Sequence, residues 1–139
     1  MSYLDDLALF PLLRDQGQAS WSRYVEHDFV ARLADGSLPE AAFRHYLGQD
    51  YLFLIHFSRA YALAASKADT LSEMRVAAAG MSAIVDTEMA LHVDYCAGWG
   101  LDEAAMEALP EASATLAYTR YVLAQGGQGD LLDLYVALA

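Results

Sequence analysis

Apolar residues recur every three or four positions along most of the chain, which is the spacing of one face of an α-helix. The clearest case is a stripe within residues 37–67, made of Phe43, Leu47, Asp50, Leu54, Phe57, Tyr61 and Ala64. Six of its members are apolar, and one is a carboxylate. A charged group in a core-facing stripe is costly unless it is paired or hydrogen-bonded. Asp50 therefore requires a partner.

Capping and turn signals predict where the first helices begin. We expect a mainly helical stretch over residues 7–29, with Pro11 near its start and a break at Gly17. Capping-box patterns predict that one long helix starts at Ser37 and runs to about Lys67, and that another starts at Thr70. Each of these two residues is followed three positions later by a glutamate.

The helix from Thr70 is expected to reach residues 95–97, with a second stripe along it. That stripe consists of Met74, Ala78, Met81, Val85, Glu88, His92 and Tyr95. Beyond it we expect a short helix over 103–109, a longer one from Pro110 to about residue 124, a flexible turn at 126–129 and a last helix over 131–139.

These elements predict an all-α helical bundle that forms a single domain over residues 1–139. The scarcity of β-branched residues argues against an all-β fold. The last predicted helix stops within the apolar run 131–139, so we expect the chain to be the N-terminal part of a larger domain.

Composition narrows the partners and the compartment. The chain carries 8 basic and 19 acidic residues, a formal net charge of −11, which disfavours nucleic acid and anionic membranes as partners. No run of about 18 uninterrupted apolar residues is present, so we predict no transmembrane helix. The N-terminus has acids where a signal peptide has basic residues, and Cys96, the single cysteine, cannot form an internal disulfide. We therefore expect a cytoplasmic protein.

Several short blocks of sequence are typical of a known family. They are Trp21, residues 27–30, 33–39, 43–47 and 49–54, then Glu88 with His92, Trp99 with Gly100, and residues 117–119. Through these blocks the chain resembles the TenA/thiaminase II family over almost its whole length. The resemblance implies a haem-oxygenase-like fold, usually a homotetramer. It also implies hydrolysis of an aminopyrimidine, either 4-amino-5-aminomethyl-2-methylpyrimidine or thiamin, in thiamin salvage. We expect no cofactor and no metal.

The resemblance also assigns roles to individual residues. Asp50 matches the family aspartate that hydrogen-bonds the aminopyrimidine, and we treat it as both a catalytic and a substrate-binding residue. Phe53 matches an aromatic position beside the substrate, where some members have a tyrosine hydroxyl that is absent here. Tyr118 matches a tyrosine that lines the same pocket. The nucleophilic cysteine, a further tyrosine and a proton-donating glutamate would lie beyond Ala139, and Cys96 does not match the nucleophile.

Residue chemistry supports the role of Asp50 but leaves an alternative. A carboxylate can accept hydrogen bonds from an exocyclic amine and from a protonated ring nitrogen in one plane. The aromatic side chains of the pocket would sandwich the pyrimidine ring. The alternative is a structural aspartate bonded to a nearby Tyr, His or Arg. Phe53 and Tyr118 could equally be ordinary core residues, as aromatic residues at helical spacing often are.

Glu88 and His92 also allow two interpretations. They could ligate a metal together with Asp50 and His56, although di-iron bundles use a Glu-x-x-His spacing that is missing here. The favoured interpretation is a buried carboxylate–imidazole pair that holds two helices together, with His45 and His56 as packing or surface residues.

Two other functions remain open at this level. One is a protein that binds a pyrimidine on the same scaffold without a nucleophile. The other is a haem or di-iron oxygenase. For the hydrolase, we expect a cysteine thiolate to add to the pyrimidine ring and expel the amine, after which water resolves the adduct.

Overall fold

The computed structural model describes the backbone of residues 3–139 and the side chains of residues 9–139. Over this range the chain is helical and contains no strand, which confirms the all-α prediction. A π-helical segment, Ala83–Glu88, joins two of the helices without a break. The helices are α1 Tyr3–Gln16, α2 Gln18–Val25, α3 Asp28–Asp35, α4 Glu40–Lys67, α5 Leu71–Ser82, α6 Met89–Ala97, α7 Glu103–Glu107, α8 Ser113–Gln128 and α9 Leu131–Leu138.

The first compact unit extends to Ala42 and contains α1 to α3. Pro11 lies inside α1, so the helix start predicted near Pro11 is wrong. The predicted break at Gly17 is confirmed, because α1 ends before it and α2 begins after it. His27 caps α3, since its Nδ1 accepts a hydrogen bond from the backbone N–H of Phe29 at 3.1 Å. Gly36 ends α3 with a φ of 78°, a conformation that favours glycine.

The capping box predicted at Ser37 is wrong, because α4 begins three residues later, at Glu40. Pro39 gives the physical reason. A residue that precedes proline is pushed out of the α-helical conformation by contact with the proline ring. Leu38 occupies that position, so a helix that started at Ser37 would be interrupted at once.

The capping box predicted at Thr70 is confirmed. The Thr70 hydroxyl accepts a hydrogen bond from the backbone N–H of Glu73 at 3.2 Å. The Glu73 carboxylate in turn accepts from the backbone N–H of Thr70 at 3.0 Å. Two orphan donors of the first turn of α5 are therefore satisfied.

Residues 43–139 form a second compact unit, in which α4 carries two hydrophobic cores. Near its N-terminal half, α4 packs with α6 and α7, and the buried residues there are Leu47, Tyr51, Cys96 and Met106. Near its C-terminal half it packs with α5, α8 and α9, and the buried residues there are Ala60, Ala64, Ala77, Val122 and Leu134. Every member of the predicted α4 stripe is buried or half-buried, Asp50 included, so that prediction is confirmed.

The second predicted stripe is wrong: up to Ile84 the buried positions lie one residue before the predicted ones, and after the π-helical segment they lie one residue after them, apart from His92. Of its seven members only His92 is not exposed. The buried or half-buried positions of this helix are Ala77, Gly80, Ile84, Met89, His92, Val93 and Cys96. The five-residue step from Ile84 to Met89 contains one residue more than an α-helical turn allows. A π-turn inserts that residue and rotates the rest of the helix by about 100°.

The flexible turn predicted at residues 126–129 is wrong, because α8 continues through Gly126 to Gln128. Gly126 is buried, and a Cβ atom there would lie 2.8 Å from Cδ1 of Leu134 and 3.2 Å from Cδ1 of Leu63. The glycine therefore permits α9 and α4 to approach α8 closely. α8 also begins at Ser113, later than the predicted start at Pro110.

The continuous helix Leu71–Ala97 is long enough, and with a mean hydropathy of 1.2 apolar enough, to cross a membrane. The sequence prediction of no such helix counted uninterrupted apolar runs, which is a stricter criterion. Helices of soluble proteins pass the averaged test as well, so length and composition alone do not indicate a membrane here.

Candidate functional site

Asp50 has a histidine as its partner. Its Oδ2 atom lies 2.7 Å from Nε2 of His92, which comes from α6. The other ring nitrogen of His92, Nδ1, lies 2.8 Å from the backbone carbonyl oxygen of Glu88. The side chain of His92 is 11% exposed and that of Asp50 is 25% exposed. Asp50 is thus bonded to a histidine, as the alternative interpretation allowed, whereas its role in binding stays a prediction.

The partners of His92 fix the number of protons in this pair. A carbonyl oxygen only accepts hydrogen bonds, so Nδ1 must carry a proton and donate it. The contact between Nε2 and Oδ2 of Asp50 needs a second proton, on either the imidazole or the carboxyl group. In both cases the Asp50–His92 pair is neutral overall. This protonation is assigned from the hydrogen-bond partners.

The second carboxyl oxygen of Asp50 remains available. Among the described residues no hydrogen bond is made to Oδ1 of Asp50. Oδ1 is an acceptor whether the shared proton lies on His92 or on Oδ2. The pair therefore combines a fixed geometry with one acceptor atom that no described residue uses.

The two interpretations of Glu88 and His92 can now be compared. A carboxylate–imidazole pair does join two helices, but Asp50 supplies the carboxylate and Glu88 supplies only its backbone carbonyl. In the described part of the chain no three His, Cys, Asp or Glu side chains converge in a way that could hold a metal ion. Both ring nitrogens of His92 are engaged, so neither offers a lone pair to a metal.

Phe53 and Tyr118, the two predicted aromatic residues of the site, are in direct contact. Phe53 lies one helical turn after Asp50 on α4, and its ring stacks on that of Tyr118 from α8. The ring centroids are 5.7 Å apart and the planes differ by 21°. A planar ligand between two rings needs a gap of about 7 Å, twice an ordinary contact distance. The expected sandwich therefore does not fit this arrangement.

A small pocket lies beside this stack. Phe57 extends the stack, with its ring centroid 5.1 Å from that of Phe53. Most of the pocket wall is apolar, and its polar groups come from His56 and Thr119. The lining residues are Phe53, His56, Phe57, Thr119, Val122 and Leu138.

Gln49, the residue before Asp50, fixes the start of α8 against α4. Its side-chain oxygen accepts hydrogen bonds from the backbone N–H of Ala112 at 2.8 Å and from the hydroxyl of Thr115 at 2.9 Å. Its amide nitrogen donates to the carbonyl of Pro110 at 3.0 Å. All of these partners lie more than 60 residues away in sequence. Helical spacing along α4 gives no sign of them.

A second carboxylate–imidazole pair, which sequence reasoning missed, lies further along α4. Oε1 of Glu111 is 2.8 Å from Nε2 of His56 and accepts from Arg120 at 3.0 Å. Oε2 of Glu111 accepts from the same arginine at 2.7 Å. Nδ1 of His56 faces the guanidinium of Arg59 at 2.9 Å. Nη1 of Arg120 lies 2.8 Å from Nε2 as well, so an arginine faces each ring nitrogen. Because arginine only donates, these contacts favour the neutral imidazole.

The charges around this second pair shift both pKa values downward. Burial is the largest cause of the lowered pKa of His56, and the positive charges of Arg120 and Arg59 lower it further, against the opposing effect of Glu111. The hydrogen bond from Arg120 is the largest cause of the lowered pKa of Glu111. The neutral imidazole and the ionised carboxylate are thus the favoured forms.

Two other reactive side chains near α4 belong to the core. Tyr51 is fully buried, and burial, followed by the charges of Glu103 and Glu107, raises its pKa to about 12. Cys96 is also buried, and its pKa is raised by desolvation, which keeps the thiol protonated. A buried protonated thiol is a poor nucleophile.

Comparisons with known proteins find relatives of the chain. The chain is 45% identical over 126 residues to an uncharacterized protein of Haemophilus influenzae, covering 91% of this chain and 58% of that protein. It is 36% identical over 126 residues to the aminopyrimidine aminohydrolase of Halalkalibacterium halodurans, covering 91% of this chain and 56% of that enzyme. The chain thus spans less than two thirds of the length of these relatives.

A solved structure agrees closely with the fold. The crystal structure of a TenA family transcription regulator from Silicibacter sp. TM1040 superimposes with a TM-score of 0.89 at 50% identity, covering 93% of this chain and 57% of that one. The haem-oxygenase-like, all-α fold implied by the resemblance is thereby confirmed. The sequence model of the family described as TENA/THI-4/PQQC matches residues 14–139 of the chain. With these relatives, that match shows that the chain belongs to the TenA/thiaminase II family.

Proposed function

We propose that this protein is an aminopyrimidine hydrolase of thiamin metabolism, in which Asp50 recognises the pyrimidine. The observation that carries the proposal is the half-buried carboxyl group of Asp50, which is held by His92 through one oxygen and has the other free to accept. A 4-aminopyrimidine carries an exocyclic amine that can donate to that oxygen. Its flat ring suits the neighbouring aromatic stack of Phe53 and Tyr118.

The chemical step needs a nucleophile other than Cys96. In the proposed reaction a cysteine located beyond Ala139 adds its thiolate to the pyrimidine ring. The amine of the 5-aminomethyl group is then expelled as ammonia. Water then resolves the adduct and restores the thiol. Asp50 holds and polarises the ring during both steps. A cytoplasmic setting and a homotetramer complete the proposal.

A pyrimidine-binding protein without catalysis is the second candidate. It is favoured by the absence of an accessible thiol from residues 9–139, where Cys96 is buried. The Silicibacter relative is described as a transcription regulator. Direct contact between this chain and DNA is disfavoured by its net charge of −11.

The proposal is tested on the full chain with 4-amino-5-aminomethyl-2-methylpyrimidine. Calorimetry measures binding, and release of ammonia measures hydrolysis. We expect Asp50→Asn to weaken binding at least tenfold, or about 1.4 kcal/mol. The matched control is Asp94→Asn, since Asp94 is an exposed carboxylate on α6 that forms no hydrogen bond with any described side chain.

The outcomes separate the two candidates. Binding accompanied by ammonia release supports the hydrolase. Binding without ammonia release favours the binding protein. If Asp50→Asn binds as tightly as the wild-type protein, the role of Asp50 in either candidate is wrong.

A further inference from the structure

His92 is turned toward Asp50 by the π-helical segment that precedes α6. The residues one turn away on the predicted stripe, Glu88 and Tyr95, are exposed, whereas His92 is 11% exposed. Of this stripe only His92 is turned in, together with Met89, Val93 and Cys96, which lie off the stripe. π-Turns are often found at functional sites, where they re-aim a side chain.

The imidazole is fixed at both ends before any ligand arrives. Nδ1 is held by the carbonyl of Glu88, the last residue of the π-helical segment, and Nε2 is held by Asp50. A histidine anchored through Nδ1 to a backbone carbonyl keeps its ring orientation and presents Nε2 in one direction. The carboxyl group that it holds at 2.7 Å is consequently restrained as well.

We infer that His92 is a positioning residue for Asp50. His92 holds Oδ2 of Asp50, so Oδ1 is the single acceptor that the carboxyl group presents to a ligand. The inference about the ligand rests on the proposed function. A site with one fixed acceptor favours a pyrimidine with an amino group at the contacted position. It disfavours the matching oxo compound in the same pose, because Oδ1 and the oxo oxygen would face each other as two acceptors, and pairing through the ring N–H would require the ring to shift.

The restraint also explains why a carboxyl group can remain in this position. An unpaired charge beside a hydrophobic core is strongly disfavoured. The proton that His92 brings makes the pair neutral, so Asp50 can stay half-buried without a bound ligand. Recognition therefore does not depend on a positive charge on the pyrimidine.

Affinity measurements on the full chain test the positioning role. The probes are 4-amino-5-aminomethyl-2-methylpyrimidine and its 4-oxo counterpart, both measured by calorimetry. We expect the wild-type protein to prefer the amino compound by about tenfold or more. His92→Leu should weaken binding of the amino compound by about tenfold and reduce the preference. His92→Gln, whose amide N–H can still donate to Oδ2, should recover most of both.

The control is His45→Leu, which removes an exposed histidine from α4. A purely structural role for His92 would lower the melting temperature without changing the ratio of the two affinities. If His92→Leu keeps the wild-type ratio and affinity, the positioning role is overturned.

A second measurement tests the pairing without any ligand. Proton NMR of the full chain should show a resonance for the proton shared between Nε2 of His92 and Oδ2 of Asp50 that is protected from exchange. It should be lost in Asp50→Leu, where no acceptor remains. Its absence from the wild-type protein overturns the inference even if the probe binds. Its presence in a protein that does not bind the probe supports the pairing and contradicts the proposed function.

Discussion

Two carboxylate–imidazole pairs lie along α4, and they differ in how many acceptor atoms they leave unused. In the first pair, Asp50 gives one oxygen to His92 and keeps the other without a partner among the described residues. In the second pair, one oxygen of Glu111 contacts His56, and both of its oxygens accept hydrogen bonds from Arg120. The distances to the histidines are nearly the same, 2.7 Å and 2.8 Å.

Exposure does not separate the two pairs. The side chains of Asp50 and Glu111 are 25% and 20% exposed. What separates them is Arg120, which forms a two-point contact with Glu111, whereas no arginine of the described residues contacts Asp50. A carboxylate whose oxygens are all occupied stabilises structure, whereas one with an unused oxygen can bind a ligand.

The largest effect expected from this comparison is that substitutions at Glu111 and at Asp50 change different properties, the first stability and the second affinity. Glu111→Gln should lower the melting temperature, because a neutral amide cannot accept a two-point contact from Arg120. It should leave the affinity for the aminopyrimidine within about twofold of wild type, because Glu111 does not belong to the recognition site. Asp50→Asn should show the opposite pattern, with an affinity loss of about tenfold.

Thermal unfolding and calorimetry on the same two samples measure the changes in melting temperature and in affinity. A loss of affinity in Glu111→Gln as large as that in Asp50→Asn would contradict the division between a structural and a binding carboxylate.

A smaller effect is expected in the pH dependence of stability. The pKa of His56 is lowered by folding, so the unfolded chain binds a proton at higher pH than the folded one. The free energy of unfolding should therefore fall as the pH drops below 6.5, the usual pKa of histidine. Glu111, whose pKa is also lowered, adds a further loss that begins near its usual value of 4.5.

Denaturant unfolding over a pH series measures these losses in wild type and in His56→Gln. The variant should lose the part that starts near pH 6.5 and keep the part that starts near pH 4.5. An unchanged upper part would show that His56 is not held neutral by its surroundings.

Helical spacing predicted what depends on neighbours along the chain. The stripe of α4, the cap at Thr70 and the need of Asp50 for a partner all follow from residues within one or two turns of each other. The identity of that partner could not be predicted, because His92 is 42 residues away and nothing in the spacing says which helix faces α4.

Three local errors had local physical causes. At Ser37 the capping pattern was present, but Pro39 prevented the helix from starting there. At Gly126 the glycine served close packing rather than a turn. Between α5 and α6 a π-turn changed the register, which an assumed period of 3.6 residues cannot detect, although the stripe predicted on α5 was already one residue off. The Arg120–Glu111–His56 cluster was missed because His56 and Glu111 are 55 residues apart.

The coupling between Asp50 and His92 is the central claim, and a double-mutant cycle on aminopyrimidine affinity tests it most directly. The cycle uses Asp50→Asn, His92→Leu and the two together in the full chain. If His92 acts by positioning Asp50, the double variant should bind no more weakly than Asp50→Asn alone. If the two losses instead add in full, the residues act independently, and the account of His92 as the residue that positions Asp50 is contradicted.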